Sequence, residues 1–265
     1  MHFLPSREIV LTIGPLAIHW YGLMYLCGFL FGIWVFPKLQ GYRGLSLSRK
    51  QQDSFLLAVA LGVIVGGRLG EVFLWDPSFY LSNPLKVFAV WEGGMSSHGG
   101  FLGVILFVLW FCYREKIDPW KLGDVLVIPV AIGLALGRVG NFINQELYGT
   151  ITTLPWGMYF DGIEGLRHPV QLYAVLKNLF IAGVCTWYVM HSHNRKPGFN
   201  IGLFLVLYGA LRFLLEYVRD QGGYEPYYVG SILITQGQML TIPIIIAGLI
   251  VLYLRSGKKS EISSQ

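Results

Sequence analysis

Apolar residues in this chain gather in long blocks instead of alternating with polar ones. Seven blocks stand near residues 17–37, 54–75, 97–113, 122–142, 172–190, 199–217 and 234–254. About 20 consecutive apolar residues cross the hydrocarbon core as a helix, and most of the blocks reach that length. The pattern predicts an all-α polytopic membrane protein: one transmembrane domain over 1–265 with about seven transmembrane helices. The third block is short and begins on the polar run Ser96–Ser97–His98. Glycines recur inside the blocks, as in LGVIVGGRLG and HGGFLGV. In lipid, where packing drives helix association, they let backbones approach closely. The longest connection, 143–170, combines Tyr148, Trp156, Tyr159 and Phe160 with Pro155 and several glycines. It predicts a small ordered outer cap with short strands. The connection RDQGGYEPYYVGS has the same character and falls on the same side.

Composition narrows the class further. Apolar residues make up 54% of the 265 and charged residues 13%, about half the charged share of soluble domains. Cys27, Cys112 and Cys185 sit in or at the edge of three different blocks. An odd, scattered set reads as apolar packing residues and not as a disulfide framework. The start, MHFLPSREIVLTIGPLAIHWYG, lacks a basic segment followed by a small-residue cleavage site. The first block is expected to be retained as an anchor.

Short cytoplasmic loops are enriched in Lys and Arg. Lys38, Arg43, Arg49, Lys50, Arg114, Lys116, Lys121, Arg195, Lys196, Arg255, Lys258 and Lys259 fall on one side of the alternating blocks. Only Arg7, Lys86, Arg167 and Arg219 fall on the other. The expected orientation is N-terminus outside and C-terminus inside. The net charge of +5 is then a topology signal, and no nucleic-acid partner is implied.

Four basic residues remain inside the blocks: Arg68, Arg138, Lys177 and Arg212. A charge at the centre of a span costs roughly 2.5–3.5 kcal/mol on insertion scales. Lys177 reads as a side chain that snorkels to the outer interface. Arg68 precedes Glu71 by three residues, which suits a structural ion pair. Tyr208, Arg212, Glu216 and Arg219 form a polar stripe that ends at the outer face. Arg138 has no acid a turn before it, and Asn141 and Gln145 follow on its face. With Asn144 and Glu146 nearby, that helix end suits an anion or a lipid headgroup. His98, flanked by glycines, falls at the same expected depth and side. His191 and His193 read as an ordinary inner loop.

Arginine holds phosphate bidentately and keeps its charge. A membrane-embedded enzyme acting on a phospholipid headgroup is therefore one reading. A transporter or flippase of an anionic lipid or small anion is another, though no internal repeat stands out and the polar groups gather near one face. A seven-span retinal protein would need a lysine in a late span, and residues 234–254 contain none.

The segment GRVGNFINQELYG, residues 137–149, strongly resembles the signature of bacterial prolipoprotein diacylglyceryl transferases. WYGLMY (20–25), GGMSSHGGFLGV (93–104), RHPVQLY (167–173) and YGALRFLLEYVR (208–219) agree with the same family. The 143–170 connection is compact beside that of some members. The resemblance implies an inner-membrane enzyme with a periplasmic N-terminus, acting on phosphatidylglycerol and on the lipobox cysteine of a prolipoprotein among the membrane lipids. It implies no metal or organic cofactor. Arg138 would bind the headgroup, with Asn141, Asn144, Glu146 and Gly149 around it. Arg212 would meet the phosphate or the reacting end, oriented by Glu216, with Tyr208, Arg219 and Arg68 as further substrate contacts. His98 would act as base or hydrogen-bond donor, with Tyr21 close to it.

Overall fold

A computed structural model describes residues 9–13, 16–90, 93–192, 196–222, 227–229 and 232–256. The sequence expectations on Arg7, His193, Arg195, Lys258 and Lys259, on the start of the chain and on part of the 218–231 loop lie outside the described residues.

The chain divides into two compact units, one of residues 1–44 with 123–265 and one of residues 45–122. Among the described residues eight helices dominate. They are α1 (Trp20–Leu39), α2 (Arg49–Gly70), α3 (Pro77–Ser82), α4 (Ser97–Glu115), α5 (Pro119–Ile143), α6 (Val170–His191), α7 (Phe199–Leu215) and α8 (Gln236–Arg255). Two short antiparallel hairpins accompany them: β1 (Ile9–Ile13) with β2 (Leu16–His19), and β3 (Tyr227–Val229) with β4 (Ile232–Ile234). The first hairpin occupies the start of the segment expected as span 1, so the helix begins at Trp20. Strand and helix are both apolar here, and a continuous apolar run does not distinguish them.

Among the described residues, six helical segments are long and apolar enough to cross a membrane: Trp20–Arg43, Arg49–Trp75, Pro119–Ile143, Val170–His191, Phe199–Val218 and Gln236–Arg255. The third expected block is the 19-residue helix α4. The outward surfaces suit lipid: Phe73, Phe101, Leu102 and Tyr253 are each well exposed.

The smaller unit is built on a glycine seam. Gly62, Gly66 and Gly70 of α2 face Gly99, Gly103 and Val104 of α4. A Cβ on Gly66 would come within 2.6 Å of the Gly103 Cα, and one on Gly70 within 2.6 Å of the Gly99 Cα. No side chain fits there, so the two backbones pack directly, which is how helices gain contact in lipid. Ser48 and Gln51 form a capping box at the start of α2, and the Ser96 hydroxyl accepts from Gly99 N–H at the start of α4.

Arg68 belongs to this unit and corrects an expectation. Its Nε donates to the Val87 carbonyl, one terminal nitrogen to Gly93 and Gly94, and the other to Lys86 and Ala89. A guanidinium has five N–H donors, and the backbone takes all five. Arg68 fastens the 86–94 loop. It is not held by Glu71 and has no donor left for a substrate phosphate.

In the larger unit, Asp124 of α5 is fully buried. Its carboxylate accepts from the Gly198 and Ile201 amides at the start of α7 and pairs with Arg43 at 3.1 Å. Arg43 also donates to the Ser192 carbonyl at the end of α6 and lies over the Tyr188 ring. This basic residue, read from sequence as a loop charge, is a buried tie among helix ends.

Candidate functional site: a cationic cavity on α5, α6 and α7

Toward the other ends of the same three helices lies a narrow cavity. Arg138 of α5, Lys177 of α6, Tyr208 and Arg212 of α7, and Arg219 all line it, together with Gln171 and Asn178.

Local sequence explains how α5 delivers Arg138. The helix ends on a Schellman turn. Glu146 N–H returns to the Asn141 carbonyl at 3.0 Å and Gln145 N–H to Phe142 at 3.1 Å, as that motif requires. Gln145 takes the left-handed conformation, φ 57°, at a cost of about 1 kcal/mol for a residue with a Cβ. The turn folds Glu146 back onto the helix end. Arg138 then donates to Asn141 Oδ1 at 3.2 Å, and Asn141 Nδ2 donates to Glu146 Oε1 at 2.7 Å. The three form a relay that aims the guanidinium. The expected shared face of Arg138, Asn141 and Gln145 is corrected: Gln145 has left the helix and accepts from Asp161 N–H. Asn144 does not line the cavity, and its buried Oδ1 has no partner in the protein.

On α7, Arg212 bonds to the carboxylate of Glu216. Glu216 sits in the tighter turn after the helix and is buried. Arg219 approaches the same carboxylate at 3.8 Å, and Gln221 donates to it at 3.2 Å. Gly237 at the start of α8 packs on that carboxylate so closely that a Cβ would fall 2.5 Å from the Glu216 Cδ. One buried anion thus serves two arginines. Burial, and then the neighbouring Arg212, push Arg219 below the ordinary guanidinium range.

Lys177 is the residue that sequence reasoning missed. It lines the cavity instead of reaching for the interface. Its Nζ lies 3.9 Å from the centre of the Tyr208 ring, a cation–π contact. No carboxylate pairs with it among the described residues. The signal was present, since Lys177 and Asn178 are polar positions well inside an apolar block, but one sequence cannot say which way they point.

Gly149 has a structural part. A Cβ there would strike Val170, the Val218 carbonyl and His168 at 2.5–2.6 Å. Gly149 N–H bonds to the His168 carbonyl, and Thr150 N–H to Val218. Short bridges join Gly149 to Arg219, and Ile151 and Met158 to Arg167. Arg167 pairs with Asp220 at 2.6 Å. Tyr21 packs on Gly140, near Arg138 in sequence, and shares a 3.0 Å hydrogen bond with Tyr25. His98 stands exposed in the first turn of α4, in the smaller unit.

The arrangement is that of an anion site. Four cations and one buried carboxylate leave a positive excess, in helices whose outer surfaces are apolar. That combination defines a multi-pass membrane protein that handles an anionic amphiphile. Residues 8–254 match the family model described as prolipoprotein diacylglyceryl transferase. The chain is 42% identical over 259 residues to the phosphatidylglycerol–prolipoprotein diacylglyceryl transferase of Actinobacillus pleuropneumoniae serotype 3, covering 95% of each chain. The proteins of that name from Glaesserella parasuis (41% over 249 residues, 92% and 91% of the two chains) and Janthinobacterium (41% over 266 residues, 98% of each) are similarly close. The chain belongs to the prolipoprotein diacylglyceryl transferase family and is a transferase.

Proposed function

We propose that this protein transfers the diacylglyceryl group of phosphatidylglycerol to the thiol of a prolipoprotein lipobox cysteine and releases glycerol phosphate. The cationic cavity carries this reading. A phosphodiester is the part of the lipid that Arg138, Arg212, Arg219 and Lys177 can hold, and it is also the leaving group.

In the reaction the cysteine sulfur forms a bond to the terminal glycerol carbon of the diacylglyceryl group. The bond from that carbon to the phosphate oxygen breaks, and glycerol phosphate keeps the electron pair. The group that departs therefore gains charge. Fixed guanidinium groups stabilise such charge without reorganising. Arg138 holds the headgroup, aimed by Asn141 and Glu146. Arg212 holds the phosphate at the reacting end, oriented by Glu216. Tyr208 and Arg219 complete that wall. The attacking thiol, ordinarily near pKa 8.5, must lose its proton. By the family resemblance His98 takes that role as general base, and Tyr21 supports the reacting end.

The protein acts in the bacterial inner membrane, with its N-terminus periplasmic and its C-terminus cytoplasmic. Helix α4 serves as a seventh span, and the 143–170 segment forms the outer cap. A transporter of anionic lipid draws no support from the family.

Incubating purified protein with phosphatidylglycerol and a lipobox peptide tests the proposal. The expected result is a mass gain of one diacylglyceryl group on the cysteine. Flux of lipid in sealed vesicles without that product would overturn it. His98→Gln is expected to lose most of the activity. Retained activity with an unchanged pH profile would remove His98 as base.

A further inference from the structure

Gln171 sits in the first turn of α6 and is 1% exposed. Its Nε2 donates to the Glu146 carbonyl at 2.7 Å. That bond fixes which way the amide faces, because only nitrogen can donate. The other end, Oε1, is buried and has no hydrogen-bond partner in the protein, and Gln171 lines the cationic cavity. A buried acceptor left unmatched costs on the order of 1–3 kcal/mol. The nearby cations do not relieve it: Arg138 donates to Asn141 and Arg212 to Glu216. Asn178 also has a buried, unpartnered Oδ1, but no bond fixes its amide.

We propose that Gln171 reads the headgroup: its side-chain carbonyl accepts a hydrogen bond from a hydroxyl of the polyol attached to the lipid phosphate. This rests on the reading of the cavity as the site for the phosphodiester and names how one phosphodiester is told from another. The cavity's positive excess repels a headgroup that carries an ammonium. A headgroup without hydroxyls leaves Oε1 unmatched. A neutral polyol satisfies both conditions. Discrimination of this kind is strong because a site built for a hydroxyl penalises its absence. Gln171 is thus a specificity-determining residue, placed by its bond to the turn that also aims Arg138.

The test compares phosphatidylglycerol with phosphatidylethanol, which keeps the phosphodiester and its charge but has no headgroup hydroxyl. Transfer of the diacylglyceryl group to a lipobox peptide is measured for each lipid in detergent micelles. The intact protein is expected to favour phosphatidylglycerol in kcat/KM by at least about tenfold, the equivalent of one matched buried acceptor. Gln171→Met, which removes the acceptor, is expected to bring the ratio to within about threefold of unity, mainly by slowing the phosphatidylglycerol reaction. A preference unchanged in Gln171→Met, with both lipids slowed alike, would overturn the inference and leave Gln171 as a tie between α6 and Glu146. If Gln171→Met does not fold, Gln171→Leu takes its place, and an unchanged preference there overturns the inference equally. Equal use of both lipids by the intact protein would sink this inference alone. No transfer from either lipid would sink the functional reading beneath it.

Discussion

Helices α5, α6 and α7 hold charge at two places, and the two differ in kind. Asp124 and Arg138 lie 14 residues apart on α5, about 21 Å at the rise of an α-helix. At the Asp124 end, one acid meets one base, backbone amides and a backbone carbonyl take up further polar atoms, and Arg43 Nε and Asn200 Oδ1 stay buried without a hydrogen-bond partner. At the Arg138 end, four cations line one cavity, and the buried carboxylate there, Glu216, pairs with only two of them, Arg212 and Arg219. A pair with matched charge has no net charge with which to attract an ion. An unmatched one is stable only as far as something else completes it. Burial of charge alone therefore does not mark a site, whereas imbalance does.

That contrast can be broken from either side. The largest effect is expected from Arg138→Ala: a loss of about a thousandfold in kcat/KM, or ~4 kcal/mol, the scale of removing one fixed donor to developing charge. Because Arg138 is only half-buried, its thermal unfolding midpoint in detergent should move little. A large drop in that midpoint would place Arg138 with the structural charges. Asp124→Ala should show the reverse. It leaves Arg43 buried without its counter-ion and two α7 amides uncapped, at a cost of about 3 kcal/mol in stability, read as a lowered midpoint. Turnover per folded molecule should stay near that of the intact protein.

Smaller changes sharpen the difference. Glu216→Gln removes the carboxylate that pairs with Arg212 and Arg219 and should reduce kcat/KM by about thirtyfold, near 2 kcal/mol. Rescue in Glu216→Asp would show that charge matters more than reach. Lys177→Met keeps the length of the chain and removes the ammonium. It should raise KM for phosphatidylglycerol by about fivefold, near 1 kcal/mol, with kcat held within twofold. An unchanged KM would return Lys177 to the role of a snorkelling side chain.

The sequence makes the spans legible because lipid demands long apolar runs, and it makes Arg138 legible because an unpaired guanidinium inside such a run needs a reason. Arg212 and Glu216 were legible as a pair at helical spacing. Other features depend on direction or distance that no single sequence encodes. The β1–β2 hairpin is as apolar as the helix after it. Gln145 is helical by pattern, yet a Schellman turn removes it from the face of Arg138. Asp124 and Arg43 are separated by 81 positions and meet only in the fold. Gln171 is unremarkable in RHPVQLY until its two amide ends are seen to have different fates.

Arg68 fastens the 86–94 loop by spreading one side chain over five carbonyls. Such a fastening has no intermediate setting. Moving the guanidinium releases every strand of the attachment together, so the loop is either held or free, like a bundle of cords through a single ring. A lysine, with three donors and no plane, cannot be that ring. The geometry of a connecting loop in this protein is thereby delegated to one residue of the helix that precedes it.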